Sequence, residues 1–341
     1  MLAMAAARLG VDAHIFAPEQ NSPAARVSAA FTCAEYGDEI ALRRFAESVD
    51  AVTTEFENVP AATCELLAEI VPVRPHARAL EIAQDRVAEK SFLNENNIET
   101  APWRAVTTAP DLEAALAALG TPAILKTRRL GYDGKGQARI MAANEAATAL
   151  AEMHAAPAIL EGFVPFSQEV SVIVARSVTG EVACYDPGAN THEDGILRET
   201  HIPADLSDKT LKTVCQVAKT IVEATDYCGV MGVEMFILDD GRVLVNEIAP
   251  RVHNTGHWTL EGCAISQFEQ HVRAVCGWPL GSPARHADAV MTNLLGAEAD
   301  DWSALPRQIR RAPLRQGGPR VPGAARMSQH AAIFLWVGPP P

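Results

Sequence analysis

The sequence predicts an α/β fold with a parallel sheet in its amino-terminal part, where strand-like and helical segments alternate. The strand-like runs are residues 12–17 and 50–55, and the helical runs are residues 1–9, 40–48 and 61–70. A Rossmann-like unit of this kind begins with a strand and a Gly-rich turn, whereas this chain begins with a helix. We therefore expect the first strand and its turn to be missing.

The composition is that of an ordinary globular protein, and it argues against two classes of function. The 341 residues suffice for two or three domains. A net charge of −13 argues against a general nucleic-acid-binding surface, and the chain contains no apolar run of about 18 residues that would span a membrane. Seven cysteines without a CxxC pair fit free thiols in a reducing cytosol, so we expect a cytoplasmic protein.

Beyond residue 80 the predicted elements include hairpins as well as helices. A polar helix at residues 85–96 is suited to link two domains. The other predicted elements are helices at 145–154, 209–224 and 265–276, and strands at 123–126, 158–163 and 169–175.

Residues 232–259 form the most informative segment, because two carboxylates face each other there across apolar strands. If residues 239–242 connect the strands, Glu234 lies directly opposite Glu247, and the pair repels itself unless a hard divalent cation bridges it. The alternative is an exposed edge hairpin with two solvated acids. We favour the cation, because strands this apolar are usually half buried. Asn246 alternates to the other face unless a bulge intervenes.

Glycines and lysines follow the strand at 123–126 in a pattern that suits phosphate. The run GYDGKG at residues 131–136 allows backbone N–H groups to approach phosphate oxygens, and Lys126 and Lys135 add positive charge. The P-loop pattern is absent. A Gly-rich hairpin turn remains the commoner explanation of such a run.

Two further segments carry carboxylates with open interpretations. The run EGFV at residues 161–164, with Glu169 after it, suits a purine edge and ribose hydroxyls, although exposed glutamates are the simpler interpretation from spacing alone. Glu57, in TTEFENVP, follows a strand at the expected carboxyl edge of the first sheet, where ligands bind in open α/β folds. Capping of the helix near Pro60 explains that segment equally well.

A cationic, hydrogen-bonding cluster follows Glu247 directly. It consists of Arg251, His253, Asn254 and His257. Such a cluster beside a divalent cation suits a small anion such as bicarbonate or phosphate. The run HNTGH also resembles a zinc motif, but HExxH is absent, so we do not expect zinc.

Taken in order, these segments resemble the ATP-grasp enzymes, and within them the 5-(carboxyamino)imidazole ribonucleotide synthases of purine biosynthesis. The resemblance covers residues 1–295 in the family's own order, and PRVHNTGHWT is its most specific part. The motifs that carry it are TEFENVP at 54–60, QDRVAEK at 84–90, ILKTRRLGYDGKGQ at 124–137, EGFVPFSQEVS at 161–171, HEDGILRET at 192–200, GVEMF at 232–236 and NEIAPRVHNTGHWT at 246–259.

The resemblance implies an ATP-grasp fold, in which a Rossmann-like domain precedes two α+β domains that grip ATP. Its domains would be residues 1–83 (Rossmann-like, incomplete), 84–165 (central) and 166–296 (catalytic), followed by a tail at 297–341. It also implies a cytoplasmic homodimer that uses ATP and Mg²⁺ or Mn²⁺, with no nucleic-acid or membrane partner. The implied reaction phosphorylates bicarbonate to carboxyphosphate and transfers its carboxyl group to 5-aminoimidazole ribonucleotide, releasing ADP and phosphate.

The resemblance also implies roles for individual residues. The triphosphate would be held by Arg86, Lys126, Gly131, Tyr132, Asp133, Gly134, Lys135, Gly136 and Gln137. Adenine would meet Glu161, Gly162, Phe163 and Val164, the ribose Glu169, and the nucleotide His192. Metal ligands would be Glu234 and Glu247, with Asn246 nearby. Bicarbonate and carboxyphosphate would be held by the catalytic residues Arg251, His253 and Asn254, acting with Lys126. The imidazole ribonucleotide would face Glu57, Tyr132 and Asp133, with Arg251 and His253 close to it.

Both ends of the chain depart from the family pattern. The family begins with a strand and a GGGQLGRM-like turn, and this chain begins at the final Met of that turn. The family ends with a segment like YGKxxxRxGRKMGH, whereas residues 314–330 read LRQGGPRVPGAARMSQH. We expect a truncated start, a shifted reading frame near residue 300 and a poorly ordered tail. An intact gene that encodes this chain would contradict the first two expectations.

Two other functions remain open at this stage. One is another ATP-grasp enzyme that uses an acyl phosphate, such as a phosphoribosylglycinamide formyl transferase. The run HNTGHW argues against it, and product identification would decide. The other is a non-catalytic nucleotide-binding remnant, which would bind ATP without ribonucleotide-dependent turnover.

Overall fold

The computed structural model describes residues 1–131, 136–154, 156–193 and 195–295, together with the backbone of a strand at 332–336. The strands form three sheets, and helices pack against each of them. Within the described residues, no helix has both the length and the apolar character needed to cross a membrane.

The first sheet has the strand order β2–β1–β15–β3. Its strands and helices are α1 (Leu2–Arg8), β1 (Asp12–Ala17), β2 (Ala30–Cys33), α2 (Glu39–Ala46), β3 (Ala51–Val52), α3 (Ala61–Ala68), α4 (Ala77–Gln84) and β15 (Ala332–Trp336). β1 pairs in parallel with β2, a strand that was not predicted, so the predicted parallel sheet is confirmed for this pair alone, because the other two pairings of the sheet are antiparallel.

β15 lies between β1 and β3 and runs antiparallel to both. In a Rossmann-like sheet this central position belongs to the first strand, which the sequence predicts to be missing. The strand also departs from the expectation of a tail without regular structure. The segment AIFLW is rich in residues that favour strands, and its backbone pairs with β1 from Asp12 to Phe16. The other tail residues, 297–331 and 337–341, lie outside the described residues.

The second sheet is antiparallel, with the order β4–β7–β5–β6. Its elements are α5 (Arg86–Glu95), β4 (Trp103–Val106), α6 (Ala109–Leu119), β5 (Ala123–Thr127), β6 (Gln137–Ile140), α7 (Ala146–Glu152) and β7 (Ala158–Gly162). The predicted linking helix is α5, and Asp85 caps it by accepting from the backbone N–H groups of Val87 and Ala88.

The third sheet has the order β13–β12–β8–β10–β11–β14, and β9 pairs with β8. Its elements are β8 (Gln168–Arg176), β9 (Val182–Cys184), β10 (Gly188–Glu193), β11 (Ile196–Ile202), α8 (Asp208–Ala224), β12 (Gly229–Ile237), β13 (Val243–Ala249), α9 (Thr259–Gly262), α10 (Gln267–Val275) and β14 (Ala289–Thr292). The predicted helices at 209–224 and 265–276 are confirmed as α8 and α10. The hairpin of β10 and β11, α4 and α6 were not predicted.

Candidate functional site

The second and third sheets border a cleft of about 910 Å³, a size typical of small-molecule sites. Residues from most of the predicted segments line it. They are Glu57, Arg86, Lys126, Gly131, Gly136, Gln137, Glu169, His192, Glu234, Asn246, Glu247, Arg251, His253 and Asn254.

Glu234 lies directly opposite Glu247 across the hairpin of β12 and β13, as predicted. Near the turn, however, Ile237 pairs with Val243, one residue away from the register that a four-residue connection implies. A bulge at Asn246 restores the predicted register at the glutamates. Because a bulge reorients the strand, Asn246 lines the same cleft as both glutamates.

The pKa values of the two carboxyl groups are shifted in opposite directions. Burial, followed by the charges of Glu247 and Glu169, raises the pKa of Glu234 well above its usual value. Burial also opposes ionisation of Glu247, but Arg86, whose Nη1 lies 3.0 Å from Glu247 Oε2, and Lys126 outweigh it and lower the pKa of Glu247 to about 2. A cation between the carboxylates would offset the repulsion that, together with burial, raises the pKa of Glu234.

The donor set around this pair fits Mg²⁺. No group of three or more His, Cys, Asp and Glu side chains suited to a metal occurs among the described residues. The pair supplies two carboxylates, and Asn246 adds Oδ1, which is buried and has no hydrogen-bond partner in the described part of the chain. Mg²⁺ is usually held by one or two carboxylates and takes its other ligands from phosphates and water.

Arg251 and His253 are held in place by side chains from two other segments. Arg251 Nε and Nη2 lie 2.8 and 2.7 Å from Glu57 Oε2, which links the cleft to the first sheet. The His253 backbone N–H donates to Gln267 Oε1 at 2.9 Å, and its Nδ1 lies 2.8 Å from Thr255 Oγ1. Burial, and then Arg251, lower the pKa of His253 to about 3, so the imidazole is neutral at pH 7.

Gly232 allows His253 to approach the middle of β12. A Cβ at this position would lie 2.7 Å from both Cβ and Cγ of His253. The imidazole Nε2 then lies 3.5 Å from Glu234 Oε1. Close beside it, Asn254 Oδ1 is buried without a hydrogen-bond partner among the described residues, which leaves it available to a ligand.

Glu161 forms ion pairs with two lysines behind the cleft. Its Oε2 lies 2.7 Å from Lys126 Nζ, and its Oε1 lies 3.5 Å from Lys90 Nζ. Burial by itself would raise the pKa of Glu161, but Lys90 and Lys126 outweigh it and lower this pKa to about 2. The carboxylate therefore carries a negative charge that holds Lys126 at the cleft wall.

Side chains on one face of α5 form hydrogen bonds to β13 around Glu247. Arg86 binds the Glu247 carboxylate, Glu89 Oε1 accepts from the Ile248 backbone N–H at 2.7 Å, and Lys90 Nζ donates to the Asn246 carbonyl oxygen at 2.7 Å. The spacing i, i+3, i+4 places these three side chains on one helix face. The motif QDRVAEK contains them all, but sequence reasoning assigned a role to Arg86 alone. The charged pair at 89 and 90 in a predicted helix was the signal that was missed.

The matches to known families agree with this geometry. Residues 1–84 match the ribonucleotide synthetase preATP-grasp domain family, and residues 91–268 match the ATP-grasp domain family. The N5-carboxyaminoimidazole ribonucleotide synthase of Brucella melitensis is 52% identical over 307 residues, which is 89% of this chain and 85% of that protein. The chain belongs to the N5-carboxyaminoimidazole ribonucleotide synthase family of ATP-grasp ligases.

Other members of this family resemble this chain in sequence and in structure. The Pseudomonas aeruginosa synthase is 45% identical over 87% of this chain and 81% of its own length. A solved ADP complex of an N5-carboxyaminoimidazole ribonucleotide synthetase superposes with a TM-score of 0.84 at 37% identity, covering 86% of this chain and 78% of that one. The Aspergillus clavatus enzyme in complex with ADP and 5-aminoimidazole ribonucleotide has a TM-score of 0.80 at 30% identity, covering 86% and 79%.

Some residues expected at the nucleotide of an ATP-grasp enzyme do not line this cleft. Glu161, Gly162, Phe163 and Val164 are absent from its walls; the Glu161 carboxylate faces the two lysines, and Val164 packs in a small apolar cluster with Leu244. The expectation that this extended segment meets adenine through its backbone stays a prediction. Tyr132, Asp133, Gly134 and Lys135 lie outside the described residues. His257 stacks on Phe268 and does not line the cleft beside Arg251, His253 and Asn254.

The cleft also contains residues that the sequence did not indicate. Phe166 stacks on Phe236 with ring centroids 4.5 Å apart, and both line the cleft, so they form a flat apolar wall suited to a ring.

Asn190 Oδ1 accepts from Thr200 Oγ1 at 3.0 Å, whereas Asn190 Nδ2 is buried with no partner among the described residues. Glu169 Oε2 lies 3.1 Å from His192 Nδ1, which joins two predicted nucleotide residues.

Proposed function

We propose that this chain catalyses the ATP- and Mg²⁺-dependent carboxylation of 5-aminoimidazole ribonucleotide with bicarbonate, giving N5-carboxyaminoimidazole ribonucleotide, ADP and phosphate in purine biosynthesis. One observation carries the proposal: a single cleft holds Lys126, the paired glutamates and the Arg251–Asn254 segment. The names of the relatives and the ADP and 5-aminoimidazole ribonucleotide in solved family members support it.

Basic and acidic residues of the cleft have different proposed ligands. Lys126 and Arg86 place positive charge where the triphosphate would lie, and Phe166 and Phe236 offer a surface for its base. Glu234, Glu247 and Asn246 would hold Mg²⁺, which when bound neutralises phosphate charge during phosphoryl transfer.

The Arg251 guanidinium, oriented by Glu57, would bind bicarbonate. A bicarbonate oxygen would attack the γ-phosphorus of ATP while it is held there. The γ-phosphoryl group then passes to a bicarbonate oxygen, and ADP leaves. The neutral His253 and the unpartnered Asn254 Oδ1 offer hydrogen bonds to the carboxyphosphate that results. The ribonucleotide amine then takes up the carboxyl group, and phosphate leaves.

The proposal extends to the organisation of the protein. We propose domains at residues 1–83, 84–165 and 166–296, and the three separate sheets support this division. From the family resemblance we also propose a homodimer that works in the cytoplasm.

ADP release tests the proposed reaction. The purified full chain would be incubated with Mg²⁺, ATP and bicarbonate, with and without 5-aminoimidazole ribonucleotide. Ribonucleotide-dependent ADP release that is lost in Glu247→Gln supports the proposal. A folded chain that binds ATP but releases no ADP above background in either mixture contradicts it.

An ATP-binding protein without turnover is the second candidate, and one observation favours it. The strand between β1 and β3 runs antiparallel, so the carboxyl edge of the first sheet differs there from that of a parallel sheet. Glu57, at this edge, is among the residues expected to face the ribonucleotide. This candidate predicts tight ATP binding with no response of ADP release to 5-aminoimidazole ribonucleotide.

A further inference from the structure

A second groove, with a volume of about 870 Å³, lies away from the ATP-grasp cleft. One face of α8, the edge strand β9 and residues 96–98 line it, and none of these residues borders the cleft. Cys184 of β9 and Cys215 of α8 both open into this groove. The groove therefore gives small solutes access to two cysteines at once.

The two thiols are in contact. The Cys184 thiol donates to the Tyr185 carbonyl oxygen at 3.7 Å, and the Cys184 and Cys215 side chains interact at the margin of the same hydrophobic cluster. Each is half-buried, whereas Cys64, Cys228 and Cys263 are buried. The pair thus combines mutual contact with access from solvent, which is the arrangement that disulfide formation needs.

The surroundings favour a thiolate at Cys215. The interaction with the Cys184 side chain lowers the pKa of Cys215 against the opposing effects of burial and of the Asp186 charge, while the pKa of Cys184 is raised. Lys212 and Lys219 lie one helical turn before and after Cys215 on α8, and both line the groove. Nearby cations favour a thiolate, so Cys215 is the nucleophile and Cys184 its proton-bearing partner.

We propose that Cys184 and Cys215 form a peroxide-reactive dithiol site that closes into a reversible disulfide between β9 and α8. The reagent is a hydroperoxide small enough to enter the groove. This modification is separate from the carboxylation proposed for the cleft, and neither depends on the other.

The chemistry balances in two steps. The Cys215 thiolate attacks one peroxide oxygen, so that an S–O bond forms, the O–O bond breaks, and the departing oxygen takes up a proton to leave as water or an alcohol. Cys184 sulfur then attacks the Cys215 sulfenic acid. The S–S bond forms, the S–O bond breaks, and the hydroxyl group leaves as water with the Cys184 proton. The peroxide gains the two electrons that the two thiols lose.

The test uses the reduced full chain and hydrogen peroxide as the probe. After treatment, unreacted thiols are alkylated and peptides are mapped by mass spectrometry. We expect Cys184 and Cys215 to lose their reactivity toward the alkylating reagent and a linked Cys184–Cys215 peptide to form, both reversed by dithiothreitol. The exposed Cys33 supplies the control, since Cys33→Ser must leave the linked peptide intact. Full alkylation of both Cys184 and Cys215 at a dose that oxidises Cys33 overturns the proposal.

Two variants separate the roles of the thiols. In Cys184→Ser the sulfenic acid at Cys215 has no resolving thiol, so dimedone is expected to label Cys215. Absence of that label overturns the assignment of Cys215 as the nucleophile. If the thermal melt shows that Cys184→Ser does not fold, Cys215→Ser replaces it, and in that variant Cys184 must remain reduced. Oxidation of Cys184 without Cys215 overturns the proposal.

Discussion

Lys90 Nζ lies 2.7 Å from the carbonyl oxygen of Asn246, the residue that bulges from β13 beside Glu247. The lysine is fully buried, and its charge is balanced by Glu161, which also binds Lys126. One buried ammonium group therefore connects the proposed cation site with the lysine at the proposed phosphate site.

Replacing Lys90 should weaken both folding and nucleotide binding. In Lys90→Met the carbonyls of Val245 and Asn246 lose their donor, so the free energy of unfolding should fall by roughly 1–3 kcal/mol in urea titrations. The KM for Mg²⁺·ATP should rise about 10- to 100-fold, as for lost support of a metal ligand. The exposed Lys219→Met is the matched control. An unchanged KM in a destabilised Lys90→Met would show that Lys90 is merely structural.

Removing Glu234 should affect activity and metal-free stability in opposite directions. Glu234→Gln removes a proposed metal ligand, so kcat should fall about a hundredfold or more. Without Mg²⁺ the same change puts a neutral amide in place of a carboxyl group whose ionisation is opposed by burial and by the Glu247 charge, so the melting temperature should increase. Calorimetry with and without Mg²⁺ measures this, with exposed Glu113→Gln as the control. A lower melting temperature without Mg²⁺ would argue against a strained carboxylate pair.

Gly232→Ala should displace His253. The new Cβ would lie 2.7 Å from His253, and the imidazole is held from behind by Thr255, so we expect destabilisation of roughly 1–3 kcal/mol and a large loss of ribonucleotide-dependent ADP release. Gly37→Ala is the control, since a Cβ there meets nothing within 4 Å. Wild-type stability and turnover in Gly232→Ala would show that His253 can move freely.

Acid should destabilise the protein partly through His271. Its Nδ1 accepts from the Val230 N–H, so Nε2 carries the proton and donates to Thr53 Oγ1 at 2.6 Å, which joins α10 to the segment that follows β3. Burial lowers the pKa of His271 from 6.5 to about 4. The unfolded state therefore binds more protons between these values, and the free energy of unfolding should fall with falling pH by up to about 1.4 kcal/mol per unit.

Urea titrations at several pH values would measure this slope, which should be smaller in His271→Gln than in the control His286→Gln. Equal slopes in both variants would assign the acid sensitivity to other groups.

Local patterns explain why part of the site could be predicted from sequence. Glu234 and Glu247 flank a short turn, and counting along the hairpin placed them opposite each other, although the bulge at Asn246 was needed to offset a one-residue difference near the turn. The same counting missed the bulge at Asn246, because a two-against-one pairing leaves no mark in the alternation of apolar residues. Helices with an apolar stripe and a cap, such as α8, were placed within one residue at each end.

The sequence by itself determined the family, the order of strands and helices, and the chemical character of the cleft, because these depend on local periodicity and on contiguous motifs. The tertiary structure decided which charges meet. Lys90, Glu161 and Asn246 belong to α5, β7 and β13, and the strand between β1 and β3 comes from the far end of the chain. Such pairings depend on packing between distant segments, where burial and geometry select a partner from several residues of the same charge, and no spacing along the chain encodes that selection.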